Sequence, residues 1–247
     1  LESDKHIPFP FSEVALDFQR LARGEDSDGQ QEILLVACRQ QDVEQRSAIL
    51  ARAGLVPAVV DVETFAIERA FALMTPLLAP AVTANEAVAL VDIGASQSVL
   101  HVLHAGSLIY SRDNAAGGHQ LTETISERYG LTLEAAEMAK REESLPEDYS
   151  VQVLTPFIAT LAEQVARSLQ LYYTAGRPYA VKQMVLVGGS SAVRGLAEYL
   201  AKVCAMPVTV ANPLEDMRSA ARVDRQNLAS TAPSLLGACG LAMRTPA

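Results

Sequence analysis

Glycine and hydroxyl groups fall together twice in this sequence at the end of an apolar run, the first time with a carboxylate. The first place is Val91-Asp92-Ile93-Gly94-Ala95-Ser96. A buried strand would deliver Asp92 to a sheet edge. Gly94 and Ala95 are small enough for the following turn to bring its backbone N–H groups close to a phosphate, and Ser96 adds a hydroxyl donor. Asp92 would hold a water of a hydrated Mg²⁺, because that ion prefers hard oxygens and keeps its hydration shell. The second place is Val185-Leu186-Val187-Gly188-Gly189-Ser190-Ser191, a strand, a glycine turn and a helix start. Helix N-termini favour anions, so Gly188, Gly189 and Ser190 could face a nucleotide. Either motif alone is also an ordinary turn whose glycines serve packing.

Two further features could join them. Gly117-Gly118 precedes a helix and lets the chain pass close to a bound group, as a plain turn would. Glu137 and Lys140 lie three apart on one helix face and could reach ribose hydroxyls or a base edge; a surface ion pair accounts for the same spacing. Other chemistry is poorly represented. His101 and His104 are three apart on a strand, so they point to opposite faces and suit packing better than a shared metal. No serine sits in a Gly-x-Ser-x-Gly elbow.

The elements that would position these residues read as follows. A strand over 14–21 and a strand over 33–38 flank a polar loop at 24–29. Asp42 and Gln45 give a capping-box signal for a helix ending at Gly54, and 56–60 reads as a buried strand. A helix is expected over 64–78, from Ile67, Phe71, Met74 and Leu78, followed by a linker over 80–86. Strands follow at 87–91, 98–103 and 108–111, the last two joined by a tight turn. Helices are expected at 120–129, 133–143 and 153–175. A strand at 184–187, a helix at 195–204, a strand at 207–210 and a helix at 233–243 complete the chain. The strands from 87 onward should form one mixed five-stranded sheet. Asp92, Gly94, Gly118, Glu137, Lys140 and Gly189 should then meet in one cleft.

Bulk properties narrow the function. The 247 residues are 49% hydrophobic and 20% charged, a globular α/β composition. A net charge of −9 disfavours unaided binding to nucleic acid or anionic lipid. Cys38, Cys204 and Cys239 are isolated, which fits buried thiols in a reducing compartment. No apolar run reaches the length of about 18 residues that spans a bilayer, and no signal peptide is evident. A cytosolic location without direct membrane insertion is expected.

The order of motifs resembles that of actin-like ATPases: an Asp-x-Gly turn, Gly-Gly before a helix, Glu-x-x-Lys on the next helix, then strand-Gly-Gly-Ser. On that resemblance, 91–96 is the second phosphate motif, Gly188-Gly189-Ser190 the adenosine motif, and Glu137 and Lys140 the ribose contacts. Glu63, in Asp61-Val62-Glu63, is the acid that helps position an attacking water. The likeness is strongest to the PilM family. Its stretches include His6-Ile7-Pro8-Phe9-Pro10, Val59-Val60-Asp61-Val62-Glu63, Gly117-Gly118-His119-Gln120-Leu121-Thr122 and Ala211-Asn212-Pro213-Leu214-Glu215-Asp216-Met217.

The resemblance implies an actin-like, ribonuclease-H-like two-lobe α/β fold. Residues 1–60 would be part of subdomain 1C. Residues 61–86 and 230–247 would belong to subdomain 1A, 87–118 and 180–229 to 2A, and 119–179 to 2B. The family's first phosphate loop has no match before residue 61. The chain is therefore expected to be N-terminally truncated and to bind ATP more weakly than a form that carries that loop. The implied function is a cytoplasmic nucleotide-binding scaffold of type IV pilus biogenesis, at most a weak ATPase, using ATP and Mg²⁺. The implied partner is the cytoplasmic N-terminal peptide of PilN, which would hold the protein peripherally at the inner membrane. Other pilus motor components and self-association are further implied contacts. A sugar- or acetate-kinase-like phosphotransferase is the alternative, although it would need acids beyond Asp92 and Glu63. An FtsA-type membrane filament would want a basic amphipathic helix, and residues 241–247 carry one basic residue.

Overall fold

The computed structural model describes residues 7, 9–20, 33–77 and 86–244. The chain divides into two compact units, with the boundary between Asp61 and Val62.

The first unit contains an antiparallel pair, β1 (Val14–Arg20) and β2 (Ile33–Arg39), in register from Val14↔Arg39 to Arg20↔Ile33. β2 runs straight into α1 (Gln40–Arg52). That helix begins two residues before the expected cap. Asp42 lies inside its first turn, where a carboxylate favours the helix dipole, and Arg39, at the N-cap, makes no side-chain capping hydrogen bond. Its end is as expected. Gly54 takes φ +77°, and the Leu55 amide donates back to the Leu50 carbonyl at 2.9 Å. The expected strand at 56–60 does not form: these residues carry no strand pairing, and Val56 is 89% exposed. Pro57 removes a ladder donor in the middle of the run. The expected loop at 24–29 lies outside the described residues.

The second unit is built on one mixed sheet, as its apolar patterning predicts. It comprises β3 (Glu86–Ile93), β4 (Ser98–His104), β5 (Ser107–Asn114), β6 (Ala180–Val187) and β7 (Val208–Val210), in the order β5-β4-β3-β6-β7. β3 is central, antiparallel to β4 and parallel to β6. The β4–β5 hairpin turns on Ala105 and Gly106, with φ values of 50° and 80°. Two positive φ values in a two-residue turn match the right-handed twist of the strands.

Alternation along β3 feeds two cores. Ala87, Ala89, Val91 and Ile93 face the larger one, with Leu121 and Ile125 of α3 (Gly118–Tyr129), Ile158, Leu161, Val165 and Tyr172 of α5 (Thr155–Thr174), and Leu196 and Leu200 of α6 (Leu196–Cys204). Val88 and Leu90 face the smaller one, with Ile67 and Phe71 of α2 (Glu63–Phe71), Met74, and Leu236 of the C-terminal helix. Between α3 and α5 lies α4 (Leu133–Arg141), capped by the Thr132 side chain, and a π-helical turn over Ser150–Leu154 leads into α5.

Two helix predictions need correction. The 64–78 helix is α-helical only to Phe71 and tightens to a 3₁₀ segment over Ala72–Leu77. Pro76 cannot donate the i→i−4 bond that would continue it. Leu78 and most of the 80–86 linker lie outside the described residues. The 233–243 helix begins as a 3₁₀ turn over Ala232–Leu235 and becomes α-helical as α8 (Leu236–Ala242). A further helix, α7 (Arg225–Thr231), was not expected; Asp224 caps it by accepting from the amides of Gln226 and Asn227. α2 and α8 cross closely. A side chain at Gly240 would overlap the Ala66 backbone, and Arg69 Nε donates to the Gly240 carbonyl at 3.1 Å. Among the described residues no helix is long and apolar enough to cross a membrane.

Candidate nucleotide-type site at the end of the central strands

β3 and β6 are parallel, so their C-terminal ends open on the same edge of the sheet. Such edges are where open α/β sheets hold ligands. Asp92 is paired with Val187 across the two strands, and the chain turns just beyond each. The turns are stitched together. The Ser190 amide donates to the Ile93 carbonyl at 2.9 Å, and its hydroxyl donates to the Gly94 carbonyl at 3.1 Å. Gly188 adopts φ +90°, and a Cβ there would overlap Asp92 Oδ1 and the Ile93 carbonyl. Gly188 is thus required twice, by conformation and by space. Gly189 is exposed, and a Cβ there would meet Ser234 only at ordinary contact distance, 3.9 Å.

The start of α3 closes a third side. The Gly118 amide donates to the Gly94 carbonyl at 3.0 Å, and the His119 amide to the Ala95 carbonyl at 2.7 Å. A Cβ at Gly117 would overlap the Ala95 carbonyl, and one at Gly118 the Ser190 hydroxyl. These two glycines therefore serve the approach of one turn to another, a role the spacing alone did not separate from contact with a ligand. Ala95 and Ser96 remain exposed at the tip of the β3–β4 turn.

Electrostatics single out Asp92. Burial, and then the negative charge of Glu63, push its carboxyl from the usual 3.8 up to about 6. Glu63 is exposed and is the first residue of α2. Glu63 therefore lies near enough for its charge to act on Asp92. Among the described residues no group of three or more His, Cys, Asp or Glu side chains gathers to cage a metal. The donor set instead suits a cation that keeps its waters, held by one carboxylate and by oxygens of a ligand, as is usual for Mg²⁺.

Glu137 and Lys140 project from α4 and are bound to each other. Thr122, one turn into α3, completes the group. Its Oγ1 lies 2.8 Å from Glu137 Oε2, 2.8 Å from Lys140 Nζ and 3.3 Å from the Gly118 carbonyl. Arg141 Nε donates to Glu137 Oε1 at 3.0 Å. Burial acts to raise the Glu137 carboxyl, but the hydrogen bonds from Lys140 and Thr122, the Lys140 charge and the Arg141 bond outweigh it and hold it at about 2. Gly118 touches both groups, so Asp92, Gly94, Gly118, Glu137, Lys140, Gly188 and Ser190 form one connected set around the strand ends. Sequence reading missed Thr122 as a member; a threonine inside an amphipathic helix leaves no periodic signal. It also missed that the Ser190 hydroxyl is spent on holding the two turns together.

Comparison with known proteins bears on the family and the fold. In a solved PilM–PilN type IV pilus biogenesis complex, a chain 30% identical matches 99% of this one, with a TM-score of 0.80 and 70% of its own length covered. MreB5 of Spiroplasma citri, solved bound to AMPPNP, is 13% identical over 83% of this chain and 64% of its own, with a TM-score of 0.52, a likeness of fold. Among curated sequences, the ethanolamine utilization protein EutJ of Escherichia coli K12 is 30% identical over 115 residues, 45% of this chain. The match spans only 37% of that relative's length. The fold is mixed α/β and actin-like. The model of the type IV pilus assembly protein PilM matches residues 1–246, and the chain belongs to that family.

Proposed function

We propose that this chain works as a nucleotide-dependent scaffold in type IV pilus assembly. It would hold ATP with Mg²⁺ at the edge where β3 and β6 end, and would take the cytoplasmic N-terminal peptide of PilN. The observation that carries the nucleotide half is the joining of three backbone turns, at 94–97, 117–118 and 188–190, beside a half-buried carboxylate. Small residues there leave backbone close to whatever occupies the edge. MreB5, which shares the fold, binds AMPPNP. The PilN half is supported by the matched chain, solved in a PilM–PilN complex.

In this reading Asp92 would hold a water of the cation, and a bound Mg²⁺ would offset phosphate charge. The turn at Gly94, Ala95 and Ser96 lies beside the phosphates, and Glu137 and Lys140 meet the ribose. Gly188, Gly189 and Ser190 border the nucleoside, and Glu63 would position a water if hydrolysis occurs. In this reading residues 1–60 belong to subdomain 1C and 119–179 to subdomain 2B, and PilN tethers the protein to the inner face of the membrane.

The test uses the full-length protein. Fluorescent ATP is titrated in the presence of Mg²⁺, and a PilN N-terminal peptide is captured with and without nucleotide. Saturable binding of both is expected, with ATP binding lost in Gly118→Val, whose side chain overlaps Ser190. Unchanged ATP affinity in Gly118→Val would reject the nucleotide site, and failure to retain the peptide would reject the partner.

A further inference from the structure

We infer that Thr122 is a positioning residue that makes the proposed site selective for ribonucleotides, through its hold on Glu137 and Lys140. This rests on the nucleotide reading above. Thr122 is almost fully buried, 3% exposed, yet its hydroxyl lies among three polar groups from two helices. A hydroxyl has one proton to give. The short approach to Glu137 Oε2, against 3.3 Å to the Gly118 carbonyl, directs that proton to the carboxylate. Lys140 then donates to the Thr122 oxygen and to Glu137.

The capacity left over has a definite shape. A carboxylate offers roughly four acceptor positions, and Glu137 uses three, for Thr122, Lys140 and Arg141. Lys140 has three N–H groups and uses two. One acceptor and one donor therefore remain on neighbouring groups. That is the complement of a vicinal diol, in which one hydroxyl donates and its neighbour accepts. A 2′-deoxy sugar would leave one of the two unmatched in a partly buried place, which is where discrimination arises. Thr122 also ties this pair to α3 one turn from Gly118, whose amide donates to the Gly94 carbonyl of the phosphate turn. Without the hydroxyl, Glu137 and Lys140 keep their mutual ion pair but lose their common anchor on α3.

The experiment measures affinity for ATP and for 2′-deoxy-ATP, with Mg²⁺, in the full-length protein and in Thr122→Val, Thr122→Ala and Thr122→Ser. Thermal melting checks that each variant is folded. Wild type should favour ATP by about tenfold, the worth of one well-made hydrogen bond. Thr122→Val and Thr122→Ala should weaken ATP to near the deoxynucleotide level while leaving 2′-deoxy-ATP within about twofold of wild type. Thr122→Ser, which keeps the hydroxyl, should restore the preference. Folded Val and Ala variants with the wild-type ratio would overturn the inference while leaving the nucleotide site standing. A wild type that binds both nucleotides equally would overturn it in the same way. No affinity for either nucleotide would overturn the nucleotide reading, and this inference with it.

Discussion

Two apolar runs of the chain look alike and end differently. Val56-Pro57-Ala58-Val59-Val60 and Ala87-Val88-Ala89-Leu90-Val91 are similar in length and hydrophobicity. The second lies at the centre of a sheet, and every residue of it is at most 3% exposed. The first belongs to no sheet, with Val59 and Val60 about half exposed. The difference lies in the neighbours. The run in β3 has β4 on one side and β6 on the other, so each backbone group finds a partner and each face a core. The 56–60 run has no ladder, and Pro57 lacks the N–H to help build one. Apolar composition makes a strand possible; a partner strand makes it.

The largest expected effect sharpens this contrast. Leu90→Ala, which cuts a fully buried side chain from the smaller core, should destabilise the protein by about 2–5 kcal/mol in urea unfolding. A cost below 1 kcal/mol would mean that the central strand is less tightly held than its burial implies.

Next comes the carboxylate at the end of that strand. The folded state holds the Asp92 proton up to about pH 6, against 3.8 in the unfolded chain. Its destabilising contribution is therefore absent below 3.8, grows as pH rises through that window, and is complete above 6. Asp92→Asn should stabilise the protein by roughly 1–3 kcal/mol at pH 8 and by little at pH 3.5. The same substitution should remove the Mg²⁺ dependence of nucleotide binding. Equal melting temperatures for variant and wild type at pH 8 would contradict the electrostatic account.

His101, opposite Leu90 in the β3–β4 register, works in the other sense. Burial lowers its imidazole from 6.5 to about 4, with the Asp113 charge opposing, and it shares a hydrogen bond with Ser111. The stability it allows is complete above pH 6.5 and is lost as pH falls towards 4, because the unfolded chain takes the proton first. His101→Gln should flatten that part of the pH profile, by roughly 1–3 kcal/mol. The smallest effect belongs to the exposed run: Val56→Ser should change stability by less than about 0.5 kcal/mol. A loss of several times that would show that the run is covered in the working protein.

How far the sequence could be read follows from the same contrast. The sheet, the hairpin and helices α3 to α6 were legible, because period-2 and period-3.6 patterns ended at glycines and turn residues. So were the glycine turns beside Asp92. Three kinds of feature were not. The state of 56–60 depends on partners distant in sequence. The onset of α1 at Gln40 was hidden because a strand feeds it directly. Thr122 and Ser190 act through single hydroxyls whose targets lie on other elements. Periodicity reports which way a residue faces and is silent on what it touches.

The parallel pairing of β3 with β6 also sets an order of events in synthesis. The β3–β4–β5 meander is local and can close as soon as it leaves the ribosome, but the strand that covers β3's other edge is made about a hundred residues later. At translation rates of roughly 5–20 residues per second, that edge waits on the order of 5–20 s. During the wait this deeply buried strand offers an open ladder to any other chain. The nascent protein is therefore most in need of a chaperone after β5 has emerged and before β6 has, and a pause in translation within that interval would lengthen its exposure.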